Sequence, residues 1–79
     1  MKIQILGPGC PNCKALEANA RAAASTLGVA AEFEKVTDID AIMNMGVMMT
    51  PALAVDGQVK STGRILSRDQ IVNILQEGK

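Results

Sequence analysis

The sequence predicts an α/β fold with the element order β-α-β-α-β-β-α. Short apolar or alternating segments trade places with segments of helical period. Asp56-Gly57 separates two strand-like segments as a two-residue hairpin turn. The chain closes on a marked helix start, Ser67 followed three residues later by Gln70. At 79 residues the chain is expected to form one domain, 1–79, because a chain this short builds one modest core.

Taken in order, Lys2 to Leu6 is apolar and β-branched at Ile3 and Ile5 and reads as a buried strand, broken by Gly7-Pro8-Gly9. From Pro11 to about Leu27 the period is helical. Leu16, Ala20, Ala23, Ala24 and Leu27 share a face, Glu17 and Arg21 make a weak surface pair four apart, and Gly28 is the stop. The small alanines let this helix lie close to a sheet. Ala31 to Val36 sets Ala31, Phe33 and Lys35 against Glu32, Glu34 and Val36, an imperfect alternation that reads as a strand. Thr37-Asp38-Ile39-Asp40 supplies a cap and early acids for a short helix ending near Gly46. Strands at about 51–55 and 58–61 flank the Asp56-Gly57 turn. In the last helix Ser67 caps, Leu66 and Ile71 form a hydrophobic staple, and Ile71, Val72, Ile74 and Leu75 face inward.

Composition removes several function classes. Eight basic and eight acidic residues give a formal net charge of zero, and no basic run exists. Nucleic acid is therefore not an expected partner, and neither is an anionic membrane surface. Phe33 is the single aromatic residue, so there is no platform for stacking bases. The apolar region from Ala41 to Val55 is interrupted by Asn44, Gly46, Thr50 and Pro51, too broken to cross a bilayer. The start, MKIQIL, is too short an apolar run for a signal peptide. The protein is expected to be cytoplasmic and monomeric, and a reducing compartment would not preserve a purely structural disulfide.

The chemistry concentrates in the only two cysteines, Cys10 and Cys13, in Cys-Pro-Asn-Cys. If Cys10 caps the helix, Pro11 takes the first helical position, where a missing N–H costs nothing. The Cys10 sulfur then faces the free N–H groups of residues 12 and 13 at the positive end of the helix dipole, which favours thiolate, the nucleophilic form. A helix terminus is worth about 0.3–1 kcal/mol and ~2 at most. With no histidine in the chain and a neutral Asn12, the expectation is a moderately acidic thiol, far from the strongest disulfide oxidants. Lys14 adds some help. Cys10, outside regular helix, can swing toward Cys13 and close a disulfide. A Cys-x-x-Cys that follows a first strand and opens a helix is a strong redox signal. Two other readings of the pair stay open: inert buried thiols, and a soft-metal or metalloid module holding Cu(I) or arsenite between two sulfurs. Without histidine, one chain cannot fill a structural zinc site from two cysteines.

ILGPGCPNCKALEANA and VMMTPALAVDGQVKSTGRILS together resemble the small archaeal and bacterial redox-active disulfide proteins of the thioredoxin-like superfamily, over nearly the whole chain. The resemblance implies a glutaredoxin-sized thioredoxin-like fold: a four-stranded mixed sheet flanked by three helices. It implies a thiol–disulfide oxidoreductase, a reductase of protein disulfides with no cofactor beyond the Cys10–Cys13 couple, served by an upstream reductase. Cys10 would attack and Cys13 resolve. A cis-proline, Pro51 after Thr50, would open the third strand facing the cysteines. Thr50 and Pro51 would line the substrate groove with Gly9, Pro11, Asn12, Met49 and Gly63. The chain departs from ordinary thioredoxins in two places. Gly9 stands where they have tryptophan, and Gln4 stands at the position of a buried acid that helps deprotonate the resolving thiol. Water is the expected proton acceptor instead.

Met43, Met45, Met48 and Met49 cluster just before Pro51. Three roles fit them: core filling, an adaptable docking surface centred on Met48 and Met49, or soft-metal ligation.

Overall fold

The first strand, β1 (Lys2–Leu6), is flanked on both sides. The computed structural model describes residues 1–9 and 11–77, Glu77 by its backbone alone. After β1 come α1 (Pro11–Leu27), β2 (Glu32–Val36), α2 (Ile39–Asn44), β3 (Ala52–Val55), β4 (Gln58–Thr62) and α3 (Arg68–Glu77). Among the described residues the strands form one four-stranded mixed sheet in the order β2-β1-β3-β4. The β1–β2 pair is parallel, because α1 carries the chain back between them, whereas β1–β3 and β3–β4 are antiparallel.

Strand alternation divides the interior into two parts. Ile3, Ile5, Leu53 and Val55 face one way and pack with Leu16, Ala20 and Ala23 of α1 and Ile71 and Leu75 of α3. Leu6, Ala52 and Ala54 face the other way and pack with Ile42 of α2 and Val47 of the loop behind it. Thus α1 and α3 cover one face and α2 covers the other. Gln4, between Ile3 and Ile5, belongs to the α2 face, where its Nε2 donates to Glu34 Oε1 at 2.8 Å.

Local signals act where the sequence places them. At the turn after β3, Asp56 (φ 51°) and Gly57 (φ 84°) have the paired positive φ of a tight hairpin, and Asp56 Oδ1 accepts from Lys2 N at 2.8 Å. Ser67 Oγ accepts from Gln70 N at 3.2 Å while Gln70 Oε1 accepts from Ser67 N at 2.9 Å, a complete capping box. Asp38 caps α2, accepting from Asp40 N at 3.1 Å. Asn19 Nδ2 donates to Leu66 O at 2.8 Å, pinning α1 to the chain entering α3.

Some boundaries and faces differ from the sequence expectation. The third strand starts at Ala52, one residue after Pro51, and β4 runs through Thr62. Val72 and Ile74 are half-buried, while Ile71 and Leu75 are fully covered. Core filling does not describe the methionine cluster. Met43, Met48 and Met49 are 62%, 92% and 63% exposed, because α2 is so short that Ile42 alone of its side chains is buried, and Val47 fills the next core position. Met45 is half-buried against the α2-side core.

Candidate active site

The site is built where β1 ends and α1 begins. Pro11 occupies the first helical position and, with Asn12, is exposed. One turn of helix then buries Cys13 to 5% exposure on the face that packs against the sheet. The expected helix cap, Cys10, lies outside the described residues.

Gly7 explains how Cys13 comes so close to the sheet. A Cβ built on Gly7 would collide with Cys13 Sγ and lie 3.4 Å from Cys13 Cβ and 3.7 Å from Thr50 Cβ. The bare backbone just past β1 is therefore a spacer between Cys13 Sγ and the loop before β3. That loop carries the Thr50–Pro51 peptide in the cis form, with Pro51 buried. Gly63 (φ 68°) donates its N–H to Pro51 O at 2.9 Å, and Met49 lies over it, since a Cβ there would sit 3.2 Å from Met49 Cβ and Cε. Thr50, Pro51, Met49 and Gly63 are thus joined, and Gly7 links them to Cys13. Gly9 (φ 92°) is exposed, with open space around it.

Beside Cys13 runs a small cleft, about 50 Å³, lined by Ile5, Gly7, Gly9, Cys13, Lys14, Glu17, Lys35 and Thr37. Glu17 and Lys35 stand out among the lining residues not singled out as site residues from the sequence. Glu17 is more than half of a weak surface pair: its side chain is only 14% exposed. Glu17 Oε2 accepts from Arg21 Nε at 2.9 Å and lies 2.9 Å from Arg21 Nη2, and Oε1 lies 3.2 Å from Lys35 Nζ. Burial pushes the Glu17 carboxyl up, but the hydrogen bonds and charges of Arg21 and Lys35 outweigh it and hold the group below the usual carboxylate value. Arg21 in turn lies 4.5 Å from the Phe33 ring centroid. Lys35 pairs with Ile5 across β1–β2, which turns its stem toward α1. The available signal was spacing: Glu17 stands four residues after Cys13, hence on the same helix face.

On the other side of Thr50, an apolar groove of about 300 Å³ is lined by Ile39, Ile42, Met43, Gly46, Val47, Met48 and Thr50. Among the described residues, no group of three or more His, Cys, Asp or Glu side chains is placed to hold a metal ion. No helix there is long and apolar enough to cross a membrane.

The profile of the thioredoxin domain family matches residues 1–76. The chain belongs to that family. It is 52% identical over 75 residues to a thioredoxin of Methanothermobacter thermautotrophicus, an overlap covering 95% of this chain and 97% of that protein. It is also similar to a thioredoxin of Methanocaldococcus jannaschii, 39% identical over 80 residues, covering 98% and 92% of the two chains. These relationships make the protein a thiol–disulfide oxidoreductase of thioredoxin type. The family needs no organic cofactor, in keeping with a reaction carried by sulfur.

Proposed function

We propose that the protein reduces protein disulfides, with Cys10 as the attacking thiolate and Cys13 as the resolving thiol. Cys10 attacks a substrate disulfide, forms a mixed disulfide and expels one substrate thiolate. Cys13, as thiolate, then attacks Cys10 Sγ; the second substrate thiolate leaves, and the Cys10–Cys13 disulfide holds the two electrons' worth of oxidation. An upstream reductase restores the dithiol. The reading rests above all on the contact of Cys13 Sγ with Gly7, which sets that sulfur beside Thr50 and the cis Thr50–Pro51 peptide.

In this reading Thr50, Pro51, Gly9, Pro11, Asn12, Met49 and Gly63 line the groove that receives the substrate strand. Exposed Met48 and Met49 lend it unbranched, polarisable side chains that adapt to varied partners. The protein acts as one domain, as a monomer, in the cytoplasm. Insulin reduction by the dithiol form tests the activity. Cys13→Ser should trap a mixed disulfide at Cys10, and Cys10→Ser should abolish turnover. A reduction potential near that of thioredoxin, roughly −270 mV, supports the reducing direction. Stoichiometric Cu(I) or arsenite binding without insulin turnover would instead favour the metal-binding alternative.

A further inference from the structure

The resolving step requires Cys13 to lose a proton, and the strand position that carries an acid in ordinary thioredoxins holds Gln4. Gln4 is bonded to Glu34 on the α2 face of the sheet, whereas Cys13 lies on the α1 face. A carboxylate does reach the Cys13 side from another element. Glu17 sits one helical turn beyond Cys13, so the two Cβ atoms are ~5–6 Å apart by helix geometry. Both side chains line the same cleft of about 50 Å³, which has room for a water molecule. Arg21 and Lys35 fix both carboxylate oxygens of Glu17.

We propose that Glu17 accepts the proton of Cys13 Sγ in the resolving step, through one water in the shared cleft. The inference rests on the reading of Cys13 as the resolving thiol. The S–H bond of Cys13 breaks and its proton passes to the Glu17 carboxylate. The thiolate attacks Cys10 Sγ, the bond from Cys10 to the substrate sulfur breaks, and the departing substrate thiolate carries away the electron pair. Glu17 then returns its proton to solvent. Among the described residues, the charged groups facing the cleft are Lys14 and Glu17 from α1 and Lys35 from β2; β1 contributes Ile5, the segment after it Gly7 and Gly9, and the residue after β2 Thr37, none of them charged. Because its two cations hold Glu17 ionised through the neutral range, the acceptor is present at working pH. The same cations make it a weak base, so its effect belongs at or below the lower end of general-base catalysis, about tenfold to a hundredfold.

A rapid-mixing experiment with the aromatic disulfide dithiobis(nitrobenzoate) separates the steps. The first nitrothiobenzoate released reports attack by Cys10, and the second reports resolution by Cys13. In Glu17→Gln the second release, relative to the first, should slow about tenfold at neutral pH and recover as pH rises and hydroxide replaces the carboxylate. Glu17→Asp should fall between. In the unsubstituted protein, the second release should change little with pH below the thiol's own titration. A second release in Glu17→Gln as fast as or faster than in the parent overturns the proposal, since a carboxylate acting only as a nearby charge opposes thiolate formation and its loss would speed resolution. A parent rate rising tenfold per pH unit overturns it as well, without reliance on any variant. If the parent gives a first release and no second, the role of Cys13 itself fails, and this inference with it.

Discussion

Gly7 is where one missing side chain matters most. Its Cα touches Cys13 Sγ, so Gly7→Ala forces a methyl group into the sulfur and toward Thr50. We expect a loss of about 1–3 kcal/mol in urea unfolding, the usual cost of overpacking, together with a marked drop in insulin reduction. Gly9→Ala meets open space and strains only its positive-φ backbone, so it should leave Cys13 where it is. Sequence reading recognises Gly7 only as a strand breaker, because the partner it makes room for lies across a turn in space. Glu17 shows the same limit: its distance from Cys13 along α1 is legible, but the reach of Lys35 from the edge strand is not. The Glu17 carboxyl is held below its ordinary value, so its contribution to stability is present above the unfolded carboxylate value and fades as pH falls through the folded one. Glu17→Gln should therefore cost on the order of 1 kcal/mol or less at pH 7 and nothing near pH 2, as followed by denaturant melts at the two pH values.

At the scale of elements, legibility follows how local the signal is. The Ser67–Gln70 capping box and the Asp56-Gly57 turn each close within a few residues, and both form as the sequence implies. The α2 region is different. Its methionines are apolar enough to read as core, yet six residues of helix present only Ile42 inward, and the surplus is left as an apolar wall beside Thr50. Whether an apolar side chain is buried there depends on where β3 resumes, which is a property of the sheet and not of the segment. The α3 cap offers a clean test. Ser67→Ala leaves Gln70 N without its acceptor and should cost about 1 kcal/mol in chemical denaturation. Because Leu66, next in the chain, is tied to Asn19 of α1, the same change should also raise amide exchange in the middle of α1, around Asn19.

Over the whole molecule, the sheet separates two interiors that, among the described residues, share no side chain. One lies under α1 and α3 and carries Cys13 on its margin. The other lies under α2 and supports the loop that brings Thr50 and Pro51 to the same end of the sheet. At the site Gly7 joins Cys13 on one side to Thr50 on the other, and with no side chain common to the two clusters, packing on either side can be altered with limited consequence for the other. Ile71→Val on the first side and Ile42→Val on the second should each cost about 0.5–1.5 kcal/mol, as buried methyl deletions do. Made together they should add to within about 0.5 kcal/mol, because no buried neighbour is common to both. Only Ile42→Val should also alter the rate of the first attack on a protein disulfide, through the wall beside Thr50. A coupling above about 1 kcal/mol in urea melts of the double variant would mean that the strands transmit repacking from one face to the other, and the site would then have to be treated as resting on a single core.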